Sequence, residues 1–134
     1  MYHADVATVS QRLLGVRILL VEDDDDTLDI YGQVLAAAGA AVSAARSAEE
    51  AALLLGSADA IVTDVAMPGE DGVWLLEQVR AKSPHLPVIA VSGYAKEQDA
   101  RLAQATFDAC LLKPFDPWRL CEEIEALIGK RRVA

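Results

Sequence analysis

The sequence predicts a doubly wound α/β domain, in which a five-stranded parallel sheet is covered by helices on both faces. Three observations predict this fold class: apolar runs of strand length recur, segments with helical spacing separate them, and the connections are short. Continuously apolar strands are typical of parallel sheets, and strands that alternate with helices pair through right-handed crossovers. No repeat or low-complexity stretch interrupts the alternation over 134 residues, which indicates a single domain.

Each predicted strand is a short, mainly apolar run. The runs are residues 17–21, 41–44, 60–63, 87–91 and 109–112. The third run organises the rest, because it ends on a single carboxylate, Asp64, and is followed by the turn residues Pro68, Gly69 and Gly72. A carboxylate at the C-terminal end of a buried strand lies where open α/β sheets bind their ligands.

The first two helices are predicted from their capping residues. Asp24 or Asp25 can accept the free N–H groups of the first helix, whose apolar residues stop at Gly39. The capping box Ser47-Ala48-Glu49-Glu50 opens the second helix, which we expect to end near Gly56.

The other helices are predicted from apolar spacing and from proline and glycine. The third carries apolar residues between Val73 and Val79, and the fourth is expected over roughly residues 96–105. The last starts at Asp116-Pro117, with proline at its first helical position, and is expected to end at Gly129. The predicted divisions are an N-terminal extension or linker at 1–15, the domain at 16–130 and a tail at 131–134.

Composition excludes several classes of protein. Twenty-one acidic residues against twelve basic ones give a formal charge of −9, which argues against direct binding of nucleic acid. No apolar run has the length of a signal peptide core or a membrane span, so we expect a cytoplasmic protein with no membrane contact. Cys110 and Cys121 form no metal-type pair, and we expect core cysteines in a reducing compartment.

Reactive side chains follow the predicted strands at one edge of the sheet. They are Glu22, Asp23, Asp64, Ser92 and Lys113. The carboxylates make an oxygen site suited to Mg²⁺, with Mn²⁺ as a second possibility, and the ammonium and hydroxyl groups could hold phosphoryl oxygens. A carboxylate in such a site can act as a nucleophile and form an acyl phosphate.

Four motifs together resemble the receiver domains of bacterial two-component response regulators, from about residue 17 to residue 128. The motifs are Leu20-Val21-Glu22-Asp23-Asp24, Asp64-Val65-Ala66-Met67-Pro68-Gly69-Glu70-Asp71-Gly72, Val91-Ser92-Gly93 and Leu112-Lys113-Pro114-Phe115. Each motif is weak alone, but all four occur in this order at the expected strand ends. The resemblance implies a CheY-like domain with the flavodoxin-like strand order 2-1-3-4-5.

The resemblance also implies the chemistry of the site. Asp64 would be the phosphoacceptor, receiving its phosphoryl group from a histidine kinase or a histidine phosphotransfer protein. The implied Mg²⁺ ligands are Asp23, Asp64, the carbonyl of Ala66 and, through a water, Glu22. Ser92 and Lys113 would contact the phosphoryl group, and the Lys113-Pro114 peptide bond is expected to be cis.

One position departs from the family's pattern. Family members usually carry Tyr or Phe three residues before the lysine, and here that residue is Cys110. Our hypothesis is that Tyr94 or Phe107 takes over part of the switching role of the missing aromatic. Tyr94 and Ala66 also flank the expected path of an attacking water, so both should modulate the phosphoryl lifetime.

Signal output is expected through a partner that binds the face of the fourth helix, the fifth strand and the fifth helix, where Trp118 and Arg119 lie. A stand-alone regulator and the excised receiver of a hybrid kinase both fit. One alternative is a phosphorylation-independent interaction domain. Another, a phosphohydrolase with Asp64 as nucleophile, usually needs a second Asp at the position of Ala66. A flavin phosphate would be repelled by the acidic residues 22–26.

Overall fold

The computed structural model describes residues 12–93 and 100–133, and within them five strands form one parallel sheet in the order β2-β1-β3-β4-β5. The strands are β1 (Arg17–Val21), β2 (Ala41–Ala45), β3 (Ala60–Asp64), β4 (Val88–Ser92) and β5 (Ala109–Leu112). The helices are α1 (Asp25–Ala37), α2 (Ala48–Ala52), α3 (Gly72–Lys82), α4 (Ala100–Gln104) and α5 (Trp118–Val133). The predicted fold class and strand order are confirmed.

The sheet is buried on both faces, as the continuously apolar strands predict. Along β1, Ile18 and Leu20 pack with the helices α1 and α5, whereas Leu19 and Val21 pack on the other face with α2 and α3. Successive side chains of a strand point to opposite faces, so both faces of β1 contribute to the core. All four side chains are 1% exposed.

The strand register aligns the C-terminal ends of the inner strands. Val21 lies opposite Thr63, and Asp64 lies opposite Val91. The residues that directly follow β1 therefore lie beside the last residue of β3. This alignment brings the predicted reactive residues to one edge of the sheet.

Side-chain caps begin the first three helices. Asp24 accepts a hydrogen bond from the backbone N–H of Thr27 at 2.9 Å, and Ser47 accepts one from Glu50 at 3.0 Å. Both caps match the sequence prediction. The return bond of the capping box differs, because the Glu50 carboxylate accepts from the backbone N–H of Arg46.

The bounds of helices α2 and α5 differ from the prediction. Helix α2 ends at Ala52 and is followed by a 3₁₀ turn, Leu55–Ser57, so the helix is shorter than expected. Helix α5 begins at Trp118, one residue after the expected proline position, and the predicted stop at Gly129 is wrong because the helix continues to Val133. Glycine ends a helix when it adopts a positive φ, and Gly129 does not.

The packed body begins before the expected boundary at residue 16. The Leu13 side chain is fully buried, and its backbone N–H donates to the carbonyl of Ala38 at 2.8 Å. Residues 1–11 of the expected extension, and residues 96–99 of the expected fourth helix, lie outside the described residues. Among the described helices, none has the length and apolar character needed to cross a membrane.

Candidate functional site

Three carboxylates meet at the C-terminal edge of the sheet. Glu22 and Asp23 follow β1, Asp64 ends β3, and their side-chain oxygens lie within 4.8 Å of one another. The side chains of Glu22 and Asp64 are 3% and 10% exposed, whereas Asp23 is exposed. The cluster is therefore buried on one side and open to solvent on the side of Asp23.

Lys113 supplies positive charge to this cluster. Its Nζ lies 3.6 Å from Asp64 Oδ2 and 3.8 Å from Glu22 Oε1, within range of attraction but beyond a short hydrogen bond. The backbone N–H of Lys113 donates to the carbonyl of Ser92 at 2.8 Å, which continues the pairing of β4 and β5. The Lys113-Pro114 peptide bond is cis.

The pKa of Glu22 reflects its burial and the charge of the neighbouring Asp64. Burial, and then the charge of Asp64 together with a hydrogen bond between the two carboxyl groups, raises the pKa of Glu22 to about 7. The backbone N–H of Asp24, which donates to Glu22, and then the ammonium of Lys113 lower the pKa but do not compensate these effects. A bound divalent cation would favour the ionised form of Glu22, and three carboxylates within 4.8 Å of one another are a donor set that fits a hard metal ion such as Mg²⁺.

Hydrogen bonds hold the main chain at Asp64 and at the following residue, Val65. The hydroxyl of Thr63 donates to the carbonyl oxygen of Asp64 at 2.8 Å, and Gly72 N–H donates to the carbonyl of Val65 at 2.9 Å. A Cβ placed on Gly72 would lie 2.6 Å from that same Asp64 oxygen. The first residue of α3 therefore packs directly against the backbone of Asp64.

Comparisons with known proteins agree with this geometry. Residues 18–125 match the family described as "Response regulator receiver domain". The chain belongs to the response regulator receiver family. It is similar to an uncharacterized 14.6 kDa protein of Leptolyngbya boryana, with 40% identity over 86% of this chain and 92% of that protein.

Two further relatives show where receiver domains like this one occur. The C4-dicarboxylate transport regulator DctD of Rhizobium meliloti is 35% identical over 87% of this chain, but the match spans only 26% of DctD. The receiver domain of the sensor histidine kinase PA1611 of Pseudomonas aeruginosa, described with a magnesium ion in its active site cleft, superposes with a TM-score of 0.79. It is 28% identical, and the match covers 86% of this chain and 98% of that domain.

The other predicted site residues of this receiver domain are placed as follows. Ser92, the last residue of β4, is buried, and Ala66 is exposed in the loop after β3. Cys110 is half-buried and packs, together with Phe107, against a cluster that includes Leu102 of α4. Tyr94 lies outside the described residues, so its predicted switching role is a prediction that the structure does not address.

Tyr31 of α1 is a further neighbour of the site, and the sequence motifs do not indicate it. Burial, then the charges of Glu22 and Asp64, raises the pKa of its hydroxyl to about 12. Its ring lies 5.7 Å from that of Phe115, the residue after the cis proline. The inward spacing of Tyr31 on α1 was visible in the sequence, but its proximity to the carboxylates depends on the packing of α1.

Replacing Gly72 with alanine is expected to destabilise the receiver domain by about 1–3 kcal/mol, because the new methyl group overlaps the Asp64 carbonyl and cannot be accommodated without a backbone shift. Gly32→Ala is the matched control, since its Cβ would meet only Leu20 at 3.9 Å. The control should stabilise α1 by about 0.5–1 kcal/mol. Urea unfolding of both variants measures the difference, and equal effects would contradict the role of Gly72.

Proposed function

We propose that Asp64 is the phosphoacceptor of this receiver domain and takes its phosphoryl group from a histidine kinase or a histidine phosphotransfer protein. The observation that carries the proposal is the position of Asp64, whose carboxylate lies among Glu22 and Asp23 and 3.6 Å from the Lys113 ammonium. A nucleophilic carboxylate beside cation ligands and an ammonium is suited to in-line phosphoryl transfer.

The acidic cluster would hold Mg²⁺, and Mn²⁺ would fit the same oxygen ligands. We assign Asp23, Asp64 and the Ala66 carbonyl as direct ligands, with Glu22 acting through a water. Three carboxylates within 4.8 Å, and the magnesium reported for the PA1611 receiver domain, support this assignment. Bound there, the metal would neutralise charge on the phosphoryl oxygens and on the carboxylates.

The protein's own groups would carry the rest of the transfer. An Asp64 carboxylate oxygen attacks phosphorus, and the bond from phosphorus to the donor imidazole nitrogen breaks, leaving the electron pair on that nitrogen. Lys113 is placed to attract the phosphoryl oxygens, and the buried Ser92 hydroxyl lies at the end of the neighbouring strand. We propose Ala66, Tyr94 and Cys110 as the residues that modulate the phosphoryl lifetime.

The role of the chain is signalling, and it would catalyse only its own phosphorylation and dephosphorylation. We propose that the output partner binds the face formed by α4, β5 and α5. Leu112 and Trp118 support this choice, because these large apolar side chains are 51% and 38% exposed on β5 and at the start of α5. A cytoplasmic location fits a histidine kinase as donor, and the formal charge of −9 argues against direct DNA contact.

Acetyl phosphate tests the phosphoacceptor directly. The protein is incubated with acetyl phosphate and Mg²⁺, or with EDTA, and its intact mass is measured. One added phosphoryl group that requires Mg²⁺ is expected. Borohydride reduction, which converts an acyl phosphate to homoserine, followed by peptide mass analysis should locate it at Asp64.

A second probe covers the case of a short-lived acyl phosphate. Beryllofluoride with Mg²⁺ occupies a phosphoryl site without turnover, so binding is expected even where the phosphorylated form hydrolyses quickly. A protein that neither gains a phosphoryl group nor binds beryllofluoride would be a phosphorylation-independent interaction domain, and the proposal would be wrong.

A further inference from the structure

An ion pair connects helix α4 with the first turn of α3. Arg101 Nη1 lies 2.6 Å from Asp71 Oδ2, and Nη2 lies 3.4 Å from Oδ1, so the guanidinium faces both carboxylate oxygens. Asp71 also caps α3, because its Oδ1 accepts the backbone N–H of Trp74 at 2.9 Å. The two partners are 30 residues apart in the chain.

The capping carboxylate is adjacent to the residue that touches Asp64. Asp71 precedes Gly72, whose α-carbon is so close to the Asp64 carbonyl that an added Cβ would lie 2.6 Å from the oxygen. A displacement of the Arg101 guanidinium would act on Asp71, and through Gly72 on the Asp64 backbone. Direct contacts thus connect α4 with the proposed phosphoacceptor.

An apolar cluster lies beside these contacts between α4 and Asp64. Val65 follows Asp64, Val73 follows Gly72 and Leu102 follows Arg101, and these three side chains are buried in one cluster. Cys110 of β5 packs against this cluster in place of the larger aromatic that family members usually carry. The cluster connects the residues after β3 with α3 and α4, and it is independent of the ion pair, which connects α3 with α4.

We infer that Arg101 is a positioning residue for the phosphoacceptor, and that its ion pair with Asp71 couples the placement of α4 to the geometry of Asp64. The inference rests on the proposed function of Asp64. Coupling between two sites is reciprocal, so a ligand on Asp64 changes α4 and a partner bound to α4 changes the affinity of the phosphoryl site. In this chain Cys110 occupies the position where family members usually carry an aromatic residue. The ion pair would supply a separate coupling between α4 and Asp64.

The ion pair also organises Asp71 itself. Burial alone would raise the pKa of Asp71, but the N–H of Trp74 and the guanidinium of Arg101 together hold the pKa below its usual range. The charged cap remains in place at neutral pH, and the first turn of α3 stays ordered against Asp64. Preorganisation of this kind increases affinity for the ligand that the site receives.

The experiment measures the beryllofluoride affinity of the full chain in the presence of Mg²⁺ by calorimetry. The variants are Arg101→Gln, Asp71→Asn, which keeps a capping side chain, and the double variant. Each single substitution is expected to weaken binding about fivefold, the low end of measured allosteric couplings, because the Arg101 side chain is 59% exposed. The double variant should be no weaker than either single variant, since all three lack the same ion pair.

Arg17→Gln is the matched control. Arg17 contacts both carboxylate oxygens of Asp59, at 3.3 and 3.1 Å, but at the opposite end of the strands, and its exposure is similar. This variant should bind beryllofluoride as the wild type does. The backbone amide of Leu102 supplies a second readout: its NMR shift on beryllofluoride addition should be smaller in Arg101→Gln than in the wild type.

The possible outcomes separate the two proposals. Wild-type affinity in Arg101→Gln, or equal losses in Arg101→Gln and Arg17→Gln, would overturn the coupling while Asp64 remains the phosphoacceptor. Additive losses in the double variant would also overturn it. A wild-type protein that does not bind beryllofluoride would refute the proposed function, and the coupling inference with it.

Discussion

Asp64→Asn is expected to abolish phosphorylation by acetyl phosphate and, at the same time, to stabilise the metal-free protein. The first effect follows because the asparagine amide lacks the anionic oxygen that attacks phosphorus. The intact mass should show no phosphoryl group under conditions that modify the wild type. An adduct that persists in the variant would assign the phosphoacceptor to another carboxylate of the cluster, with Asp23 the exposed neighbour.

The stabilising effect has an electrostatic origin. The charge of Asp64 is, after burial, the main cause of the raised pKa of Glu22, so the charge of Asp64 disfavours the ionised form of Glu22. A neutral amide removes this repulsion and can donate a hydrogen bond to Glu22. We expect the free energy of unfolding at neutral pH to rise by on the order of 1 kcal/mol.

Asp59→Asn is the control for the stabilising effect, because it also replaces a carboxylate with an amide but lies outside the acidic cluster. Asp59 accepts hydrogen bonds from the backbone N–H and the guanidinium of Arg17, at the N-terminal end of the sheet. This variant should keep the acetyl phosphate reaction and should gain no stability, because it loses an ion pair instead of a repulsion. A lower free energy of unfolding for Asp64→Asn than for the wild type would contradict the electrostatic argument.

The residues at the strand ends could be predicted from the sequence because local patterns determine them. Glu22, Asp64, Ser92 and Lys113 lie at the ends of short apolar runs or directly follow them. In a parallel sheet such ends share one edge, and the observed register places Asp64 beside the residues that follow β1. The composition of the site therefore follows from strand positions, without knowledge of how the helices pack.

The contacts that support the site could not be predicted in this way. The approach of Gly72 to the Asp64 carbonyl and the ion pair of Asp71 with Arg101 depend on how α3 and α4 pack on the sheet. No periodic pattern relates residues 30 apart. Gly129 illustrates a local limit, because glycine permits a helix stop but does not require one when its φ stays negative.

The metal-free protein is expected to lose stability as the pH rises from 4.5 to about 7. The folded-state pKa of Glu22 is about 7, against an ordinary value of 4.5, because the carboxyl group is buried beside Asp64. Over this window the folded state keeps a proton that the unfolded state has released, so raising the pH penalises folding by up to about 3 kcal/mol. The lowered pKa of Asp71 acts separately, costing stability only as the pH falls below 3.8.

Mg²⁺ should reverse this trend, because a cation binds the ionised carboxylates. We expect Mg²⁺ to raise the melting temperature more at pH 8 than at pH 5. A free Mg²⁺ concentration of 100 times the dissociation constant would raise the free energy of unfolding by about 2.7 kcal/mol. Glu22→Gln removes the titrating group. Its amide can donate to Asp64 in place of the protonated carboxyl group, so this variant should be more stable than the wild type at pH 8 without metal.

Glu77→Gln is the matched control, because it makes the same change at an exposed glutamate of α3, outside the acidic cluster. Unfolding free energies are measured at pH 5, 6, 7 and 8, with Mg²⁺ and with EDTA. The slope in EDTA should flatten in Glu22→Gln alone, and the same variant should gain less stability from Mg²⁺. If the unfolding free energy of Glu22→Gln depends on pH as that of the wild type does, the Glu22 carboxyl group does not titrate in this window. Mg²⁺ binding would then not compete with a proton on Glu22.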